Sequence, residues 1–233
     1  MKYKYNKIIS YKIIVQAFIL FSLTACGENN SDSLSNNNAI KCDTLINKSF
    51  YDICYDLNLK SALFVTYTLD GSLVDNPNIS DRPSFYEEST IAQKYQSDYD
   101  DYTGSGYDRG HLANDASFDY SDSSLKSVYS MANIIPQSPD VNRYSWIDTE
   151  NLEREKAILY GEVEVVIGVD FSDNPQTIGE NEISVPKGFY KMISTFNNNY
   201  KECFYYDNIP YDVASDTIEN HKVACSSLNF EYY

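Results

Sequence analysis

The stretch NRYSWIDTENLEREKAILYGEVEVVIGVDF, residues 142–171, changes character midway. With Val141 just before it, Trp146, Leu152 and Ile158 form an apolar stripe among charges, which predicts a helix over 140–158. Beyond Gly161, residues 162–171 are rich in β-branched side chains and bounded by turn formers, which predicts a strand. The same pattern gives strands at 62–69 (ALFVTYTL), 189–196 (FYKMISTF) and 202–206. Strands that surround helices without strictly alternating with them point to an α+β fold, a central mostly antiparallel sheet flanked by helices. The 22 tyrosines read as packing in half-buried strands rather than as a base-stacking platform.

The amino terminus fixes the compartment. Residues 1–25 carry four lysines and no acid before a short apolar run. That run falls short of the roughly 20 residues a membrane-spanning helix needs, so it reads as a signal peptide removed on export. Its ending, Leu23-Thr24-Ala25-Cys26, resembles the lipobox of bacterial lipoproteins, in which Cys26 would carry the lipid. An exported bacterial protein anchored to a membrane by lipid, periplasmic or surface-facing, is the expectation. Residues 26–41 are polar and cannot bury enough surface to offset their ordering entropy, so they read as a tether. Residues 42–233 are long enough for one domain with a full core.

With Cys26 set aside, Cys42, Cys54, Cys203 and Cys225 remain, an even number suited to an oxidising compartment. Four thiols allow three pairings. The local pairs Cys42–Cys54 and Cys203–Cys225 are favoured because each closes a modest loop, worth about 3 kcal/mol in the loop-entropy model. No CxxC occurs, which weakens a metal-site reading.

A formal net charge of −16 argues against a broad electrostatic grip on nucleic acid. A polyanionic substrate would need positive charge supplied locally, by a few arginines and a metal ion. Most of the acidic residues read as a solvated surface.

One of only two histidines lies in GYDRGHLAND, residues 106–115. The glycines let the chain turn and present His111, and no dinucleotide fingerprint, Walker loop, GxSxG or HExxH is present. Taken with DRPSFYEE (from Asp81), YSMANIIPQSPDVNRYSWIDTENLER (129–154) and IGENEISVPKGFYKMI, this segment resembles the DNA/RNA non-specific endonucleases of the ββα-metal, or His-Me finger, type. That family includes secreted bacterial sugar-non-specific nucleases and the mitochondrial endonuclease G group, and the likeness covers roughly residues 50–230.

The resemblance implies a metal-dependent endonuclease that hydrolyses phosphodiester bonds in DNA and RNA without strong sequence specificity and leaves 5′-phosphate ends. His111 matches the general base, a role an imidazole titrating near 6.5 can fill. Asn142 matches the single protein ligand of hydrated Mg²⁺, with Mn²⁺ or another divalent ion able to substitute; such hard cations take oxygen donors and keep waters. Arg82 matches the arginine that stabilises transition-state charge. Eight residues apart on one helix, Asn142 and Glu150 would differ by about 80° and about 12 Å, so Glu150 is assigned a hydrogen bond to the ion's water rather than ligation. Asn133 and Gln137 match amides lining the site, Asn133 with an orienting hydrogen bond or a structural role. Arg109 would contact phosphate or pair with a carboxylate, and Asp108 would fix the loop. His221 has no motif around it and reads as a surface histidine. Asn114 and Asp115 depart from the pattern of many relatives. A small-nucleotide phosphodiesterase and an inactive nucleic-acid-binding surface lipoprotein are the alternatives, and a homodimer is left open.

Overall fold

The structure is a computed structural model that describes residues 41–74, 79–197 and 199–228. The expected signal peptide, the lipid site Cys26 and all of the tether except Lys41 lie outside the described residues. In chain order the elements are β1 (Thr44–Asn47), β2 (Asp52–Asp56), β3 (Ser61–Asp70), α1 (Gly71–Val74), β4 (Asp108–His111), α2 (Asp122–Val128) and β5 (Ile134–Gln137). There follow α3 (Trp146–Tyr160), β6 (Glu162–Asp170), β7 (Thr177–Ile178), β8 (Ile183–Ser184), β9 (Gly188–Ser194), β10 (Lys201–Asp207) and β11 (Lys222–Val223). Seven strands form an antiparallel sheet in the order β1-β2-β3-β6-β9-β10-β11, and β4 pairs with β5 in a separate ribbon. The α+β expectation holds, and the four strands read from sequence are β3, β6, β9 and β10.

Alternation decides which face is buried, since successive side chains in a strand point to opposite sides. Val65, Tyr67 and Leu69 of β3, Val163, Val165 and Ile167 of β6, and Phe189 and Ile193 of β9 all enter the main core. Lys191 occupies the same inward register between Phe189 and Ile193, and it is fully buried. Its ammonium meets the equally buried Glu153 of α3 at 2.9 Å. Glu153 also accepts hydrogen bonds from the Tyr67 hydroxyl at 2.9 Å, from Ser117 Oγ at 2.8 Å and from the Asn114 amide. A charge removed from water is tolerable only when paired and hydrogen-bonded in this way.

This ion pair corrects the helix stripe expected from the sequence. The buried face of α3 is Trp146, Thr149, Glu153 and Ala157, whereas Leu152 is only partly buried and Ile158 is 49% exposed. The expected single helix over 140–158 is also interrupted. Val141–Ser145 forms a wide helical turn with a kink at Tyr144 (φ −129°, ψ −106°), and regular α-helix begins only at Trp146. The angular relation between Asn142 and Glu150 worked out for one regular helix therefore does not apply.

Both favoured disulfides are present, Cys42–Cys54 and Cys203–Cys225. His221 is not a surface residue: it is 6% exposed, stacked on Tyr206 with ring centroids 3.7 Å apart, and its Nε2 lies 2.8 Å from Asp216. No described helix is long and apolar enough to cross a membrane.

Candidate active site around His111

Strand β4 is the DRGH segment itself, paired so that Asp108 faces Gln137 and His111 faces Ile134. Gly104 and Gly106, at φ 71° and 87°, turn the chain into it. Gly110 serves a different need: a Cβ there would sit 2.1 Å from Gln137 Oε1, so only glycine lets β5 approach this closely. Gln137 is thus a buried packing partner of β4, 1% exposed.

The His111 ring is held by two aromatic side chains, Tyr129 at 5.0 Å and Phe85 at 5.6 Å between centroids. Its Nε2 is buried and has no hydrogen-bond partner, which leaves Nδ1 as the nitrogen able to face solvent. Burial lowers its pKa from 6.5 to about 4; the Asp115 charge opposes that shift and the Arg82 charge adds to it. The ring is therefore neutral at neutral pH, the protonation state a base requires.

Arg82 reaches this site as the motif implied. Its guanidinium is 2.7 Å from Asp115 and 3.1 Å from Asp119, and it also donates to the Ile79 carbonyl. Asp115 accepts a 2.6 Å hydrogen bond from Tyr129, so one carboxylate fixes both the arginine and one wall of the histidine. Asn114 caps the turn at Asp115–Ser117 and joins the Glu153 network behind it. The two residues that depart from the family pattern thus have structural work, which their types alone did not disclose.

Asn142 sits in the kinked turn before α3. Its Nδ2 donates to Asp108 at 3.0 Å, and Asp108 also takes a two-pronged hydrogen bond from Arg143 at 2.6 and 2.7 Å. Burial works against the Asp108 charge, but the Arg143 and Asn142 hydrogen bonds hold its pKa below the usual carboxylate value. Asp108 therefore ties the Asn142 turn to the strand that carries His111. Glu150, on α3, accepts no hydrogen bond among the described residues. Burial raises its pKa to about 7, with Lys191 opposing and Glu153 reinforcing the shift.

Among the described residues no three His, Cys, Asp or Glu side chains are grouped to hold a metal. The donors that remain are the Asn142 Oδ1, which no described residue donates to, and the unpartnered Glu150 carboxylate. The Asn142 oxygen, a single amide donor, suits a hard cation that keeps most of its water.

Asn133 and Arg109 both bond to backbone groups. Asn133 is wholly buried, accepting from the Ala113 N–H at 2.9 Å and donating to the Ala113 and Val128 carbonyls at 2.9 and 2.8 Å. Its amide has no atom left for a substrate; it orients the chain two residues beyond His111. Arg109 pairs with no carboxylate among the described residues. It donates to the Tyr99 carbonyl through Nε and Nη2 and to Thr103 Oγ1, and its guanidinium lies 3.5 Å from the Tyr99 ring centroid. Phe85 and Tyr129 were not singled out from sequence, and Asp115 was noted only as a departure from the family pattern. Phe85 and Tyr129 do fall inside the quoted motif stretches, and that position was the available signal.

Comparison with known proteins gives the same direction. A family model described as DNA/RNA non-specific endonuclease matches residues 29–231. The mitochondrial endonuclease G of Bos taurus is 28% identical over 159 residues, covering 64% of this chain and 53% of that protein. A nuclease of Nostoc sp. is 29% identical over 150 residues, covering 64% and 53% respectively. The chain spans about half the length of the curated relatives it matches. Among solved structures, an EndoG/EndoGI complex titled for the mechanism of EndoG inhibition superposes with a TM-score of 0.71 at 25% identity, covering 78% of this chain and 81% of that one.

Proposed function

The chain belongs to the DNA/RNA non-specific endonuclease family, and from that membership we propose that it cleaves DNA and RNA by hydrolysis at His111. The observation that carries the proposal is the imidazole of DRGH, packed against Phe85 and Tyr129 and within the field of Arg82 and Asp115. Nδ1 takes a proton from a water molecule as its oxygen bonds to phosphorus. The bond from phosphorus to the 3′ oxygen breaks, that oxygen takes a proton from solvent, and the 5′ side keeps the phosphate. Arg82 exchanges its carboxylate partners for the phosphate and offsets the charge gathered on it in the transition state. Asn142 would hold a hard divalent cation, Mg²⁺ or Mn²⁺, with Glu150 hydrogen-bonded to the ion's water; when bound, the ion lowers the charge on the phosphate and on the departing oxygen. Asp108 and Asn133 act through the backbone and the turn they fix, as positioning residues. Contacts to the sugar-phosphate backbone carry no sequence information, which suits a nuclease without strong specificity.

Export and lipid attachment at Cys26 belong to the same proposal, supported by the leader composition and by the two disulfides. The test is digestion of plasmid, RNA and a dinucleotide by the full chain with Mg²⁺, with EDTA, and with His111→Ala. Cleavage of the polymers that EDTA abolishes, and that His111→Ala reduces by several orders of magnitude, is expected. Cleavage of the dinucleotide alone would replace the reading with a small-nucleotide phosphodiesterase. Binding without cleavage would replace it with an inactive binding protein.

A further inference from the structure

Phe85 also lines a surface pocket of 260 Å³, together with Tyr86, Glu87, Asp98, Tyr99, Asp100 and Met131. Phe85 belongs to both places, its ring 5.6 Å from the His111 ring and 6.1 Å from the Tyr99 ring. Tyr99 is 53% exposed, so its ring is open to a ligand from solvent. It is nevertheless fixed, because Arg109 donates to its carbonyl twice and holds its guanidinium 3.5 Å from the ring centroid. Arg109 and His111 are two residues apart in β4, so they project from the same face of the strand. The face that presents the imidazole therefore also braces the aromatic ring.

We propose that this pocket is a nucleobase subsite, in which the base of a nucleotide next to the scissile phosphate stacks on Tyr99 as stiffened by Arg109. The rim chooses the occupant. Glu87, Asp98 and Asp100 would repel a phosphate, whereas a base brings a π-face for the ring and amino N–H groups for the carboxylates. Stacking also answers the charge problem of the chain. With a formal net charge of −16 the protein cannot hold a strand by cations alone, and base–aromatic stacking is indifferent both to that charge and to base sequence.

This inference rests on the nuclease reading, and one experiment separates the two. The full chain in EDTA, where no cleavage is expected, is titrated into a fluorescein-labelled single-stranded oligonucleotide and into the same strand with central abasic sites, followed by anisotropy. Wild type should bind the base-bearing strand about tenfold more tightly, the range of one stacked base. Tyr99→Ala should erase that preference, and Tyr99→Phe should keep it, which also controls for folding. Equal affinity of wild type for both strands, or a preference that survives Tyr99→Ala, overturns the subsite. Plasmid cleavage by wild type with Mg²⁺ is read separately. Its absence beside an intact base preference would sink the nuclease reading and leave the subsite standing.

Discussion

Replacing His111 with phenylalanine tests whether the imidazole is kept neutral by the fold. The folded pKa of about 4 lies below the ordinary 6.5, so between those values the unfolded chain binds a proton that the folded protein refuses. The stability this histidine allows is complete above pH 6.5 and is lost as pH falls toward 4. Linkage puts the loss at roughly 2 kcal/mol by pH 5 and at about 3 kcal/mol below pH 4. Glu150 acts with the opposite sign. Its pKa is raised from 4.5 to about 7, so its contribution is full at low pH and disappears as pH rises through 7. Over pH 7.5 to 5 the two nearly cancel, and wild-type stability alone reveals neither. His111→Phe removes one of them and keeps a ring of similar size against Phe85 and Tyr129. Urea unfolding in EDTA at pH 7.5 and pH 5 should show the variant gaining about 2 kcal/mol over wild type at pH 5 relative to the difference at pH 7.5. If the difference between the two proteins is the same at both pH values, the imidazole titrates normally and the fold does not hold its pKa down.

Lys191→Met leaves the Glu153 carboxylate buried without its counter-charge, and should cost about 3–5 kcal/mol; calorimetry should show a melting temperature lower by roughly 10 °C for a domain of this size. Asn133→Ala strands the Ala113 N–H and two carbonyls inside the core. A loss of about 3 kcal/mol in denaturant unfolding is expected, with each orphaned group costing about 1–3 kcal/mol less whatever local relaxation recovers.

The strands that could be read from sequence are those whose apolar and β-branched runs serve the core directly, such as Ala62–Leu69 within β3. β4 escaped because Asp-Arg-Gly-His has no apolar pattern; pairing with β5 makes it a strand, and that partner lies some 25 residues away. The helix boundary was misplaced because a kink at Tyr144 leaves no trace in composition. Its buried face was misread because Glu153 looks like a surface residue until Lys191, on another strand, is known to meet it. His221 was assigned to the surface for the same reason, its Tyr206 and Asp216 partners being supplied by the fold. At the site the motifs name residues but not their partners: His111 packs against Phe85 and Tyr129, Arg82 meets Asp115 and Asp119, and Arg109 and Asn133 turn to backbone carbonyls and amides, which no side-chain pattern announces.

The two disulfides flank the large sheet. One joins the residue before β1's neighbourhood, Cys42, to β2, and the other ties β10 to Cys225 just past β11. The outermost strands are short, two residues in the case of β11, and would peel easily if hydrogen bonds alone kept them in place. Peeling would bare the backbone of β2 and β10, ready templates for another chain. The covalent hems thus guard against fibre-like assembly as well as unfolding, and a reducing environment would first cost this protein its solubility at the sheet's borders.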